Sequence, residues 1–400
     1  MMNALALDLV WLGCGALFGA RGRVVMNRLT LHPVPDAPSQ LAAPVLELLD
    51  EAWPEERGPL CLSPTTEGLL AGLLEADRPA HTVLEVPAFL AGDPAWEARL
   101  RERAAAGQAL ALKGRPLQAL SPELLTCFRH VIVDLDDDRR QTQAPASGAA
   151  RQTPWVQAGS HTPEEAGASL RRGALAVLGW PLGERPGPDA PRKDVPPSVQ
   201  IVMDLIQRVD REEPVNRLEE ALRGDPTLAF RLMRLINSPA FGLSVEISSF
   251  QHAIMVLGYQ RLKRWLALLV TNAVDNPDLQ PLMQLAVRRG LLMEELVRAQ
   301  GDSGAAGEAF ICGVFSLLDR MLGQPFDRLL GNLPVGEGVA QTLAPSGQGP
   351  YSLALSVARA VESELPLDIA EAAGAMLLSP GELNRAALKA MLAAQQLQSD

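Results

Sequence analysis

The spacing of hydrophobic and polar positions changes character once, near residue 190. Before that point short apolar runs such as Val83-Leu-Glu-Val86 and His130-Val-Ile-Val-Asp-Leu135 predict buried strands. Residues 95–106, rich in Ala, Arg, Glu and Leu, predict a helix between them. Thr162-Pro-Glu-Glu165 has the form of a capping box opening a further helix, and Ala174-Leu-Ala-Val-Leu178 resumes a strand. Strands alternating with helices predict a parallel sheet or a barrel. The polar stretch 141–153 is poor in bulky residues and reads as a flexible insertion.

Residues 183–197 hold five prolines and read as a linker. Beyond it the period is helical almost throughout. Val199, Val202, Leu205, Ile206 and Val209 form one stripe, and helices are predicted at 282–298, 308–321, 353–364, 367–378 and 382–397. Within 198–272, Asp225 can cap a helix that Pro226 begins, with Leu228, Leu232, Leu235 and Ile236 on one face. Pro239 ends that helix near Asn237. A second helix starts from the capping box Ser248-Ser-Phe-Gln251, carries Ala253, Ile254 and Leu257 on its apolar face, and stops at Gly258. The expected fold class is thus multidomain: an α/β domain over 1–183, a linker over 184–197 and an all-α domain over 198–400.

Composition narrows the chemistry. A net charge of −11 over 400 residues argues against general nucleic-acid binding, which needs clustered Lys and Arg. Cys14, Cys61, Cys127 and Cys312 are far apart and form no CxxC, so reduced thiols in a cytoplasmic protein are expected rather than a disulfide framework or a zinc site. The apolar run 4–20 lacks a basic leader and contains Asp8 and three glycines. It reads as a strand and a turn rather than a membrane span. No histidine follows His252, which removes the usual ligands of a hydrolytic metal site from the helical half. No GxxxxGK(S/T) loop and no GxGxxG after a strand are present. In the first half Glu85, Asp134 and the acidic run 136–138 are the carboxylates at strand ends, where barrel active sites gather.

Two stretches resemble known families. Asp225-Pro-Thr-Leu, then Asn237-Ser238-Pro-Ala-Phe241-Gly, then Ile247-Ser-Ser249-Phe-Gln-His-Ala253-Ile-Met-Val-Leu257-Gly258, resemble the HDOD domain, a helical relative of the HD phosphohydrolases in bacterial signalling proteins. HD hydrolases carry a His-Asp pair where this chain has Ser316 and Leu317. The first half resembles a degenerate EAL domain, the TIM-type barrel that hydrolyses cyclic di-GMP. Leu84-Glu85-Val86 stands where the E-A/V-L block would be, and Val131-Ile132-Val133-Asp134 keeps the Asp of the I-K-I-D strand but loses its Lys. The DDFGTG-type loop becomes Ala111-Leu-Lys-Gly-Arg-Pro116, His161 replaces a late Glu, and Leu178-Gly179-Trp180 replaces QGY.

The resemblance implies an EAL–HDOD arrangement with both catalytic sets missing. Glu85 and Asp134 alone cannot build a two-metal phosphodiesterase centre. The expectation is a non-catalytic cytoplasmic regulatory protein with no cofactor or metal, no nucleic-acid partner and no membrane insertion, acting through protein partners. The alternative is a sensor that binds cyclic di-GMP or another nucleotide weakly, without cleaving it. A metal-dependent phosphohydrolase ranks last.

Overall fold

The computed structural model describes residues 7–38, 40–116, 119–137, 153–191, 196–214, 217–218, 237, 250–272, 277–331, 333 and 335–397. Asp225, Pro226, Ser238, Phe241 and Ser249, the helix predicted to begin at Pro226 and most of the insertion at 141–153 lie outside them. The chain divides into two compact units. One comprises residues 1–183 with 360–387, the other 184–359 with 388–400. The first boundary falls at Gly183, where the proline-rich stretch begins. Residues 360–387 are a difference from the sequence expectation, because they belong with the barrel rather than with the helical half.

The first unit is a closed barrel of eight strands in sequential order. They are β1 (Val10–Phe18), β2 (Val24–Pro33), β3 (Leu60–Pro64), β4 (Thr82–Pro87), β5 (Ala109–Lys113), β6 (Phe128–Asp134), β7 (Trp155–Ala158) and β8 (Ala176–Leu178). Strands β2 to β8 run parallel, and β1 is antiparallel to both of its neighbours. The cause is local. Five residues join β1 to β2 through a turn in which Arg21 and Gly22 take positive φ, and a connection that short can only reverse the chain. The other crossovers are long enough for helices, among them α1 (Ala42–Ala52), α2 (Glu67–Glu75), α3 (Pro94–Ala105) and α4 (Pro163–Arg171). Thr162 caps α4 by accepting from the Glu165 N–H at 3.2 Å.

A barrel wrapped by helices has two dry faces, so its strands do not alternate simply between core and water. On β2 Leu29 and Leu31 are fully buried, and Arg28, Thr30 and His32, which alternate with them, are buried as well. Apolar clusters among the described strand residues include Leu17, Ile132, Val156 and Ala176, and Cys61, Val83 and Ala111. Strand β1 pairs with β8 only at Leu17 and Phe18, which leaves part of its edge open. The Asn384 carboxamide covers that edge, accepting from the Leu12 N–H at 3.1 Å and donating to the Leu7 and Val10 carbonyls at 2.9 and 2.6 Å. Buried backbone groups need such partners, and this one ties 360–387 to the barrel.

The second unit is helical. Its described helices include α5 (Pro197–Asp210), α6 (Phe250–Asn272), α7 (Gln280–Ala299), α8 (Ser303–Phe315) and α9 (Leu318–Leu322). The α5 stripe from Val199 to Val209 is buried. Helix α6 contains a break at Gly258, whose φ of 73° stops the first segment. The predicted helix over 308–321 is two helices, because the Ser316 hydroxyl donates to the Gly313 carbonyl at 2.7 Å and Leu317 leaves helical geometry. The proline-rich stretch is tied within this unit, since Arg328 donates to the carbonyls of Ala190 and Pro188 at 2.7 and 2.5 Å. Helices α10 (Ser352–Ser363), α11 (Pro366–Ala375) and α12 (Pro380–Gln396) complete the described chain. A reciprocal capping box opens α12, with Ser379 and Glu382 exchanging hydrogen bonds. Among the described residues no helix is long and apolar enough to cross a membrane.

Candidate functional site

The carboxyl ends of the parallel strands are where a barrel presents chemistry. Here that end is built around Arg28, which the sequence pattern does not single out. Its guanidinium lies along the Glu85 carboxylate of β4, with Nε 2.6 Å from Oε1 and Nη2 2.8 Å from Oε2. The same guanidinium donates to Thr30 Oγ1 at 3.0 Å and to Ser63 Oγ at 2.8 Å, and its Nη1 also meets the Glu364 carboxylate. Lys113 Nζ stands 3.6 Å from Glu85 Oε2. The Cys61 thiol donates to Glu85 Oε1 at 3.3 Å.

The electrostatics follow from burial and pairing. Burial alone would push the Glu85 carboxyl up, but the Arg28 charge and its hydrogen bonds outweigh that and hold it at about 2. Burial likewise opposes the charge on Arg28, and Glu85 and then Glu364 more than restore it. Burial pushes the Cys61 thiol well up, so it stays protonated and inert. His32 and His130 are both pushed down by burial. The His130 Nε2 is buried with no hydrogen-bond partner among the described residues.

Asp134, His161 and Trp180 do not join this cluster. Asp134 caps the turn after β6, where its Oδ1 accepts from the Asp136 N–H at 2.9 Å, and its carboxylate faces Gly159. His161 is exposed and lies 3.8 Å from Asp136. Trp180 packs edge-on to Phe18, with ring centroids 5.8 Å apart. Among the described residues no three His, Cys, Asp or Glu side chains are grouped so as to hold a metal ion. Among the described residues the donors around Glu85 do not fit a two-metal centre, because both oxygens of Glu85 already serve a guanidinium and a divalent ion there would face Arg28 and Lys113.

In the helical unit Ser316 and Leu317 are fully buried. Ser316 Oγ accepts from the buried Arg289 at 2.8 Å. Neither residue offers a strong metal donor. The nearby Asp319 is pushed up by burial, against the pull of Arg320, whose N–H donates to its Oδ1 at 2.8 Å. Of the HDOD motif positions that are described, Asn237 is exposed, Ala253 and Leu257 are buried, and Gly258 forms the break in α6. Ala253 and Leu257 face the interior, whereas Met255 and Val256 between them are exposed.

Comparison with known proteins places these features. The model of the HDOD domain matches residues 195–322. YuxH of Bacillus subtilis (strain 168) is 28% identical over 164 residues, which is 40% of this chain and 40% of that protein. Cyclic di-GMP phosphodiesterase CdgJ of Vibrio cholerae serotype O1 is 27% identical over 169 residues, 42% of this chain and 39% of that protein. The matches span about two-fifths of the length of these curated relatives. The crystal structure of the EAL-like domain protein YdiV aligns with a TM-score of 0.32 at 14% identity, covering 44% of this chain and 94% of that one. Residues 195–322 match the HDOD domain, on the same chain as a closed eight-stranded barrel.

Proposed function

We propose that this chain is a non-catalytic, cytoplasmic signalling protein that works through protein partners. The observation that carries the reading is the two-point contact of Arg28 with Glu85. A metal-dependent phosphodiesterase needs carboxylates with free lone pairs to hold its ions and polarise the attacking water. Both Glu85 oxygens already accept from Arg28, Oε1 also accepts from the Cys61 thiol and Lys113 stands 3.6 Å from Oε2, so a hydrated cation would have to displace a buried charge-assisted pair to bind there. The Ser316–Leu317 replacement in the helical unit supports the same reading. CdgJ is named a cyclic di-GMP phosphodiesterase, and the likeness to it supports a place in cyclic di-GMP signalling.

The direct test is turnover. Full-length protein with cyclic di-GMP and Mg²⁺ or Mn²⁺ is expected to release no linear product, and metal-dependent product formation would overturn the proposal. A second reading has one specific observation in its favour. The Lys113 ammonium is partly exposed at the barrel end, where it is placed to meet a phosphate although Glu85 and Glu364 balance the local charge. Calorimetry with cyclic di-GMP separates the two, since a sensor shows saturable micromolar binding and a partner-directed scaffold shows no heat. Affinity capture from native extract, with crosslinking, then reads the protein partners.

A further inference from the structure

Glu364 lies between α10 and α11, far from the barrel in sequence, yet its contacts are almost all with the barrel's interior. Thr30 Oγ1 donates to its Oε2 at 2.7 Å, and Arg28 meets the same oxygen. His32 Nε2 donates to its backbone carbonyl at 3.0 Å. These three partners are alternate residues of β2, so one strand face reads both the carboxylate and the main chain of one residue. On the neighbouring strand β1 two alternate glycines leave room. A Cβ on Gly13 would come 2.8 Å from the Glu364 Cα and 3.0 Å from its Cβ, and one on Gly15 would collide with its carboxylate oxygen. The backbone of Glu364 is itself unusual for a non-glycine residue, at a φ of 58°. Neighbouring groups hold it there. The Ser363 hydroxyl donates to the Ala360 carbonyl at 2.8 Å and accepts from the Leu365 N–H at 3.3 Å.

We propose that the 363–365 turn is a built-in plug of the barrel's carboxyl end, and that Glu364 supplies the anion of an oxyanion site formed by Arg28 and Thr30. The glycines at 13 and 15 shape the seat, the β2 hydroxyl and guanidinium bind the charge, and the His32 contact fixes the main chain. A small external oxyanion reaches these donors only when the Glu364 carboxylate is absent or withdrawn. The inference deepens the non-catalytic reading by saying what fills the barrel end. It relies on that reading for the placement of Arg28 and not for the lack of turnover, which is measured separately on the wild-type chain.

Removal of the carboxylate and return of an anion from solution tests the proposal. Thermal unfolding of the full chain is followed for wild type, Glu364→Ala, Glu364→Gln and Glu364→Gly while inorganic phosphate is titrated. Glycine suits the positive φ, so this variant separates the loss of the carboxylate from relief of the backbone. All three variants are expected to unfold below wild type. Phosphate should raise the Tm of Glu364→Ala and Glu364→Gly by about 3–5 °C for each tenfold increase past its dissociation constant, with a smaller effect on Glu364→Gln. Arg28→Met/Glu364→Ala sets the nonspecific salt effect, and wild type should match that baseline. Equal phosphate responses in wild type, Glu364→Ala and the double variant would overturn the proposal. So would a Glu364→Gly protein as stable as wild type and unresponsive to phosphate.

Discussion

With both carboxylate oxygens on one guanidinium, Glu85 keeps its charge in a place where burial would otherwise neutralise it. The arrangement is asymmetric under mutation. Removing Arg28 strands Glu85 and Glu364 near each other, while removing Arg28 and Glu85 together leaves Glu364 as the one carboxylate of the cluster without its guanidinium. Arg28→Met is therefore expected to destabilise the barrel by about 3–5 kcal/mol, the usual loss when one member of a buried pair is deleted. Arg28→Met/Glu85→Leu should recover a large part of that loss, and chemical denaturation of the four members of the cycle measures the coupling. A fully additive cycle would deny the pair any energetic role. Glu85 is legible in the sequence because a lone carboxylate interrupts an apolar run. Arg28 is not, because Arg28-Leu-Thr-Leu-His32 alternates as an ordinary half-exposed strand does. Only closure of the barrel, with helices on its outside, turns the polar face of that pattern inward. Glu364 leaves no signal, since nothing local ties it to a strand more than three hundred residues earlier.

At the scale of elements, helices α7 and α8 form a hairpin whose approach is set by glycine on glycine. A Cβ on Gly313 would lie 2.5 Å from the Gly290 Cα and 2.7 Å from its nitrogen, all backbone that no rotamer change can move. Gly307 stands on the same helix α8, where an added methyl would meet nothing within 4 Å. Gly313→Ala should then force the helices apart and destabilise the unit by about 1–3 kcal/mol, as overpacking does. Gly307→Ala should be neutral or stabilising by up to about 1 kcal/mol, through helix propensity alone. Equal effects of the two substitutions on the thermal midpoint would sink the idea. Elements are the most readable level of this chain. The capping signals Thr162-Pro-Glu-Glu165 and Ser379-Pro-Gly-Glu382 act locally, so they mark helix starts whatever the tertiary context. The break at Ser316 escapes the pattern for the opposite reason. Its cause is a side-chain bond to the Gly313 carbonyl, which apolar periodicity does not register. The placement of 360–387 with the barrel is equally hidden, because it depends on the Asn384 carboxamide meeting the open edge of β1.

For the whole molecule, the buried ionisable groups give the two units opposite responses to acid. In the barrel unit His32 and His130 are held below the ordinary histidine range by burial, and Glu85 is held at about 2 by Arg28 after burial is overcome. Each of these binds its proton more readily in the unfolded chain than in the folded one, so the barrel loses stability as pH falls. The histidine part is present in full above about 6.5 and fades below it, and the Glu85 part fades between about 4.5 and 2. In the helical unit burial raises Glu294 and Asp319 above the ordinary carboxylate range, despite Arg264 and Arg298 at the first and Arg320 at the second. These two groups take up protons more readily when folded, so their contribution grows as pH falls through their raised values. Acid is therefore expected to melt the barrel unit first, giving two resolved transitions at about pH 4 where neutral pH brings them closer together. Two-state treatment fails for such a chain, so the transitions are followed separately, by hydrogen exchange on peptides from β2 and β4 and from α7 and α8. Glu85→Gln removes a group that titrates in the lower window and should flatten the barrel's pH dependence between about 4.5 and 2, leaving the histidine window in place. If peptides of both units lose protection together at every pH, or if Glu85→Gln leaves the lower window unchanged, the buried pair at the barrel end is not what makes this half of the molecule sensitive to acid.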